Sequence, residues 1–166
     1  PTLMDIHGAD CPASVHGRSL LPLLNGSEDT HHDAVLYGTF AKDINLTDGK
    51  YTYCRQPEED AVVHHHTAMP RNYYDFHSRD ELRNADIGVF LKHCHGIPHY
   101  RMEKRSGRHV DAPDYNPIYD LESDVDQHSP IHDLELETQL EELMSKKMEE
   151  AEAPQCQFDR VGLQRP

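Results

Sequence analysis

The chain has 166 residues, with 16 Lys and Arg against 30 Asp and Glu, a formal net charge of −14 at pH 7. Hydrophobic residues make up 36%, against roughly 45–50% in an average soluble domain, and there is no Trp. An acidic surface repels phosphate backbones, so no nucleic-acid partner is expected; no run approaches the ~20 apolar residues of a membrane span; and the length suits one domain with a thin core. Residue 1 is Pro and no charged-then-apolar targeting segment follows, which in a native N-terminus reads as no export signal. Cys11, Cys54, Cys94 and Cys156 are widely spaced, without a C-x-x-C. That is neither a disulfide framework nor a zinc ribbon, and it reads as reduced thiols in a cytoplasmic protein. Fourteen His suggest metal binding, or a charge that changes steeply below about pH 6.5.

In chain order, Thr2–His7 reads as a helix end, with Leu3 and Ile6 on one face and Gly8 as the stop. Arg18–Leu24, with four Leu, reads as a short buried helical turn ended by Asn25-Gly26. Ala34–Phe40 is strand-like. Ile44–Thr47 and Lys50–Cys54 flank Asp48-Gly49, a hairpin signal in which both turn residues are expected at φ > 0. Tyr51 and Tyr53 then share a face. Gln56–Asp60 is an acidic loop before His64-His65-His66. Ser78–Ala85 reads as a helix with a Ser78/Glu81 capping box. Val89–His99 matches no single pattern, Arg101–Pro113 reads as basic and then loop-like, and Ile118–Leu121 as a strand. Leu136, Leu140, Leu143, Met144 and Met148 recur at three- and four-residue spacing, so a helix runs from Asp133, its cap, to about Ala151. Pro154 ends it, and residues 154–166 read as a tail.

Three constellations carry candidate chemistry. Cys11-Pro12-Ala13-Ser14 matches the start of the C-x-[P/A]-S-x-R-type motif whose Cys becomes formylglycine, but Val15 follows and the nearest Arg is Arg18. The His64-His65-His66 run, and His93-Cys94-His95 with His99, suggest a metal or an anion; zinc needs three or four convergent N or S ligands, whereas consecutive strand residues point to opposite faces. Exposed or pocket-rim histidines are the alternative. Glu141, Glu142, Glu149 and Glu150 fall on the polar side of the amphipathic helix, which reads as a solvated face rather than a catalytic dyad. Taken alone, the residues describe a soluble acidic α+β domain.

Read together, several blocks resemble the C-terminal region of sulfatases, in the alkaline-phosphatase-like superfamily. Pro1-Thr2-Leu3-Met4-Asp5-Ile6-His7-Gly8 resembles the family's "APTLLDLAG" helix. Gly17-Arg18-Ser19-Leu20-Leu21-Pro22-Leu23-Leu24 resembles "GRSLLPLL", and Thr47-Asp48-Gly49-Lys50-Tyr51 resembles "VTDGRYKYI". Asn116-Pro117-Ile118-Tyr119-Asp120-Leu121, then Asp124 through Asp133, resembles "ELYDLENDPGEENNLA", and the helix after it resembles the closing family helix. The resemblance implies an α+β chain forming the C-terminal part of an alkaline-phosphatase-like α/β fold, a small antiparallel sheet packed by a C-terminal helix. Residues 1–30 would be the edge of a truncated large α/β domain, 31–153 a small subdomain with an insertion at about 57–113, and 154–166 a tail.

The family's nucleophile and metal ligands lie upstream of the "APTLLDLAG" helix, so the resemblance assigns no catalytic residue and no metal ligand here. It implies calcium and formylglycine in the parent enzyme, neither held by this chain. The implied partners are an N-terminal catalytic domain and, through it, an anionic sulfate ester. His65, His66, Arg71 and Lys92, in the insertion, are the candidate substrate-binding residues, since cationic groups there would attract an anionic ester. The alternative is a stand-alone, non-catalytic interaction or metal-binding module.

Overall fold

A computed structural model of the chain describes residues 1–71, 75–108 and 111–166; the parts of the expected insertion at 72–74 and 109–110 lie outside the described residues. The architecture is mixed α/β, with two small antiparallel sheets and a C-terminal helix. The first sheet has the order β1-β2-β3-β7, built from β1 (Val35–Gly38), β2 (Ile44–Thr47), β3 (Tyr51–Arg55) and β7 (Ile118–Asp120). The second has the order β4-β6-β5, from β4 (Val62–Thr67), β5 (Asp86–Gly88) and β6 (His99–Arg105). It is formed wholly by chain lying between β3 and β7.

The β2–β3 hairpin forms where Asp48-Gly49 signals it, but its turn is centred one residue later. Thr47 pairs with Thr52, and Asp48 N–H donates to the Tyr51 carbonyl at 3.4 Å. Of the two expected turn residues only Gly49 has positive φ, at +91°. The Asp48 carboxylate instead accepts from the N–H groups of Lys50 (2.9 Å) and Tyr51 (2.7 Å), so it serves as a local cap and keeps an ordinary backbone.

The helix α4 (Leu134–Glu150) has the expected Asp133 cap, whose carboxylate accepts from Glu135 N and Leu136 N at 3.0 and 3.1 Å. Its apolar stripe buries Leu140, Met144 and Met148 against Leu46, Tyr53 and Ile118 of the first sheet. Residues 154–166 are not a tail. They form α5 (Gln155–Arg160) and a buried return, with Phe158 and Val161 sealed and Leu163 7% exposed in the same core. Burying a side chain of this size contributes about 1.5–3 kcal/mol, so this end of the chain holds the core together.

α5 also ties the second sheet to the first. The buried Arg160 guanidinium donates to the Lys42 carbonyl, to Ser106 Oγ at 3.1 Å and to Gln157 Oε1 at 3.0 Å. The adjoining N–H of Ser106 reaches the Ala61 carbonyl at 2.8 Å, and that of Gly107 the Ala41 carbonyl at 3.1 Å.

The N-terminal helices form but are not buried. α1 (Thr2–Ile6) ends in a Schellman motif: Ala9 N–H reaches Met4 O at 2.9 Å, Gly8 N–H reaches Asp5 O at 3.1 Å, and Gly8 takes φ +66°. α2 (Leu21–Leu24) joins it through Leu20 N–H to Thr2 Oγ1 at 2.9 Å. Neither has a buried residue, and Leu3 and Leu24 are 72% and 70% exposed. The expected burial of the Leu20–Leu24 turn is therefore absent from this chain. Among the described residues nothing buries that face.

Candidate functional site

The second sheet gathers the histidines. The register pairs His65 with Met102 and His66 with Arg101, so the run alternates faces as the pleat requires. On the face turned to the core lie Val63, His65, Met102 and Lys104. On the other lie His64, His66, His99 and Arg101, with Phe90 against them.

On the inner face, the His65 ring sits 5.3 Å from His77 and 5.7 Å from Phe40, centroid to centroid. His77 is buried, and its Nε2 has no hydrogen-bond partner. Beside it α3 (Arg79–Asn84) starts with the expected capping box: Ser78 Oγ accepts from Glu81 N, and the Glu81 carboxylate accepts from Ser78 N at 2.9 Å. Glu81 also binds the Lys104 ammonium of β6. Those hydrogen bonds, from Lys104 first and from Ser78 second, hold its carboxyl down at about 2.

On the outer face, a chain of contacts runs from backbone to ring to ring. His99 Nδ1 lies 3.1 Å from the Ile97 carbonyl, and His99 Nε2 lies 3.1 Å from His66 Nδ1. Phe90 packs against both rings, at 6.0 Å from His66 and 5.4 Å from His99. The Arg101 guanidinium stacks over Phe90 at 4.1 Å and pairs with Asp86 at 2.7 Å. Burial first, then electrostatic interaction with neighbouring His99, His64 and Arg101, pushes His66 down to about 4. Burial lowers His65 as well, helped by His77 and Lys104. Both imidazoles are therefore uncharged at pH 7, and they do not supply the cationic attraction expected of them from sequence. Desolvation in the sheet outweighs their intrinsic basicity.

A hollow of about 290 Å³ opens beside His66 and His99. Its walls include Leu91, Ile97, His93 and Cys94, carried by a single 3-10 turn (Lys92–Cys94) and the residues around it. Lys92 is exposed, and its charge acts on Glu149 of α4. Arg71 is exposed too, bridged to Phe76 and 5.7 Å from that ring. The four residues selected from sequence thus do not share one face. Among the described residues no group of three or more His, Cys, Asp or Glu side chains is placed to hold a metal ion. Cys11 lies exposed in its loop.

Sequence reasoning passed over β6, and with it the partnership of His99 with His66. The segment His99–Arg105 has one buried apolar residue, Met102, among charged ones, so its alternation is hidden. The polar face of α4 is not simply solvated at Glu141. Its carboxylate binds the Arg55 guanidinium and accepts from the Tyr53 hydroxyl at 3.1 Å.

No protein-family model matches the chain, and no curated protein sequence matches it.

Proposed function

We propose that this chain is the C-terminal portion of a sulfatase, packing against a catalytic domain and shaping one wall of its substrate cleft. The observation that carries the reading is an uncovered apolar face on the segments that resemble the family's large-domain edge. Leu3, Ile6, Leu20 and Leu24 of the "APTLLDLAG"- and "GRSLLPLL"-like blocks stand 72%, 56%, 43% and 70% exposed. The whole chain exposes 11148 Å², where a folded monomer of 19.1 kDa exposes about 8,400 Å². The excess is larger than the ~800 Å² that each partner buries in a standard interface.

The other resembling blocks fall on matching elements, namely the β2–β3 hairpin, β7 and α4. They frame a small antiparallel sheet packed by a helix, as the alkaline-phosphatase-like reading requires. Calcium and formylglycine belong, in this reading, to the upstream part. Cys11 does not fit formylglycine, since Val15 follows its Cys-Pro-Ala-Ser start and the nearest Arg is Arg18. The role of this chain is then structural. Arg71 and Lys92, both exposed cations, are its candidate contacts to an anionic ester.

The test is the reading frame upstream of the Pro1 codon. The reading expects it to continue and to encode an Asp-Asp pair followed by a C-x-[P/A]-S-x-R-type motif. A continuing frame without them, or a frame that stops there, overturns it. Hydrolysis of an aryl sulfate by residues 1–166 alone would contradict the structural role.

A further inference from the structure

We propose that the hollow between β4, β6 and the Lys92–Cys94 turn binds a small uncharged ring compound carrying a hydroxyl donor, a monocyclic phenol or comparable alcohol, and that His66 Nε2 accepts that hydroxyl. The proposal rests on the second sheet and stands independently of the sulfatase reading.

Proton placement comes first. A carbonyl oxygen only accepts, so His99 Nδ1, 3.1 Å from Ile97 O, carries its hydrogen. In that Nδ1–H tautomer His99 has a bare Nε2, and it receives the Nδ1–H of His66 at 3.1 Å. His66 is left in the tautomer whose Nε2 is an open lone pair. Among the described residues no donor reaches that nitrogen. The relay thus presents an oriented acceptor, and its ligand must donate.

Charge and shape narrow the ligand further. Among the described residues lining the hollow none is Lys, Arg, Asp or Glu, so none of them offers a counter-charge to an anion or a cation. Burial keeps His66 uncharged at neutral pH. Leu91, Ile97 and Ala68 supply apolar wall, and about 290 Å³ lies at the small end of ligand pockets, room for one ring. An open imidazole nitrogen near Cys94 also suits a soft metal, and the experiment separates the two.

The full chain, labelled with 15N at histidine, is titrated with p-cresol and with toluene, which differ by one hydroxyl. Before ligand, the spectrum is expected to show His66 as the Nδ1–H tautomer. p-Cresol is expected to move the Nε2 resonance toward its hydrogen-bonded position and to bind about fivefold more tightly than toluene, the worth of one net hydrogen bond. In His66→Phe the two compounds bind alike, and in Leu91→Trp, which fills the hollow, neither binds. An Nε2–H tautomer, equal affinity of the unaltered chain for both compounds, or binding of neither overturns the proposal; none of these readings needs a variant that folds. Micromolar Zn²⁺ binding lost in both His66→Phe and Cys94→Ser overturns it in favour of a metal site.

Discussion

At the scale of single residues, the sites of consequence are polar groups forced into company by burial. Arg55 reaches the Glu141 carboxylate, the Tyr53 hydroxyl at 3.0 Å and the Val161 carbonyl at 2.7 Å, joining β3 to α4 and to the end of the chain. The Arg55 side chain is 13% exposed and that of Glu141 33%. Removing the carboxylate leaves a half-buried guanidinium with only its hydroxyl and carbonyl partners. Glu141→Ala is expected to cost about 1–3 kcal/mol, less than the loss of a fully buried pair because water reaches Glu141. The urea midpoint measures it, and an unchanged midpoint would show that the pair is structurally idle. Burial acts on thiols in the same sense, pushing Cys54 up to about 11, so this cysteine should react slowly with a thiol reagent at pH 8 while the exposed Cys11 reacts fast.

At the scale of elements, the second sheet holds the His65 and His66 imidazoles uncharged near Arg101 and Lys104. An unfolded His takes up its proton near 6.5, whereas folded His66 resists until about 4 and folded His65 is lowered in the same direction. The unfolded state therefore binds more protons between these values, and stability falls as pH drops from about 6.5 toward 4. The Glu81–Lys104 pair, with its carboxyl held at about 2, survives that window. Urea midpoints at pH 8, 6, 5 and 4.5 should decline, and His66→Phe should flatten the decline; a level profile in the unaltered chain would count against the desolvated sheet. The α5 element carries a different expectation. Phe158 is fully buried between the first sheet and α4. Phe158→Ala should cost about 3–5 kcal/mol, a large share of the ~5–15 kcal/mol that stabilises a domain. Thermal unfolding followed by circular dichroism reads it, and a near-unaltered melt would restore the tail.

At the scale of the whole molecule, the first sheet, α4 and α5 close one core, the second sheet hangs on it through Arg160 and Ser106, and α1 and α2 lie outside it. The chain on its own should therefore bind a hydrophobic dye in its folded state, with Leu3→Ser and Leu24→Ser together reducing the signal; a dye-silent fold would show that the N-terminal face is covered. The sequence by itself determined every element whose signal is local. The Ser78/Glu81 box, the Asp133 cap, the α4 stripe, the Gly8 stop and the Asp48-Gly49 hairpin each lie within a few residues of one another, and side-chain-to-backbone geometry at that range depends little on the rest of the chain. Only the tertiary structure decided the remainder. β6 spans a stretch that matches no single pattern and the start of one that reads only as basic, because its partners, β4 and β5, supply the pairing its own composition does not advertise. The end of the chain reads as a tail because Phe158, Val161 and Leu163 follow a proline in a short polar stretch, and only the open side of the first sheet gives them something to bury against. The protonation of His65 and His66 is likewise absent from the sequence: desolvation and neighbouring charge set it, and both are created by strands that meet across more than thirty residues.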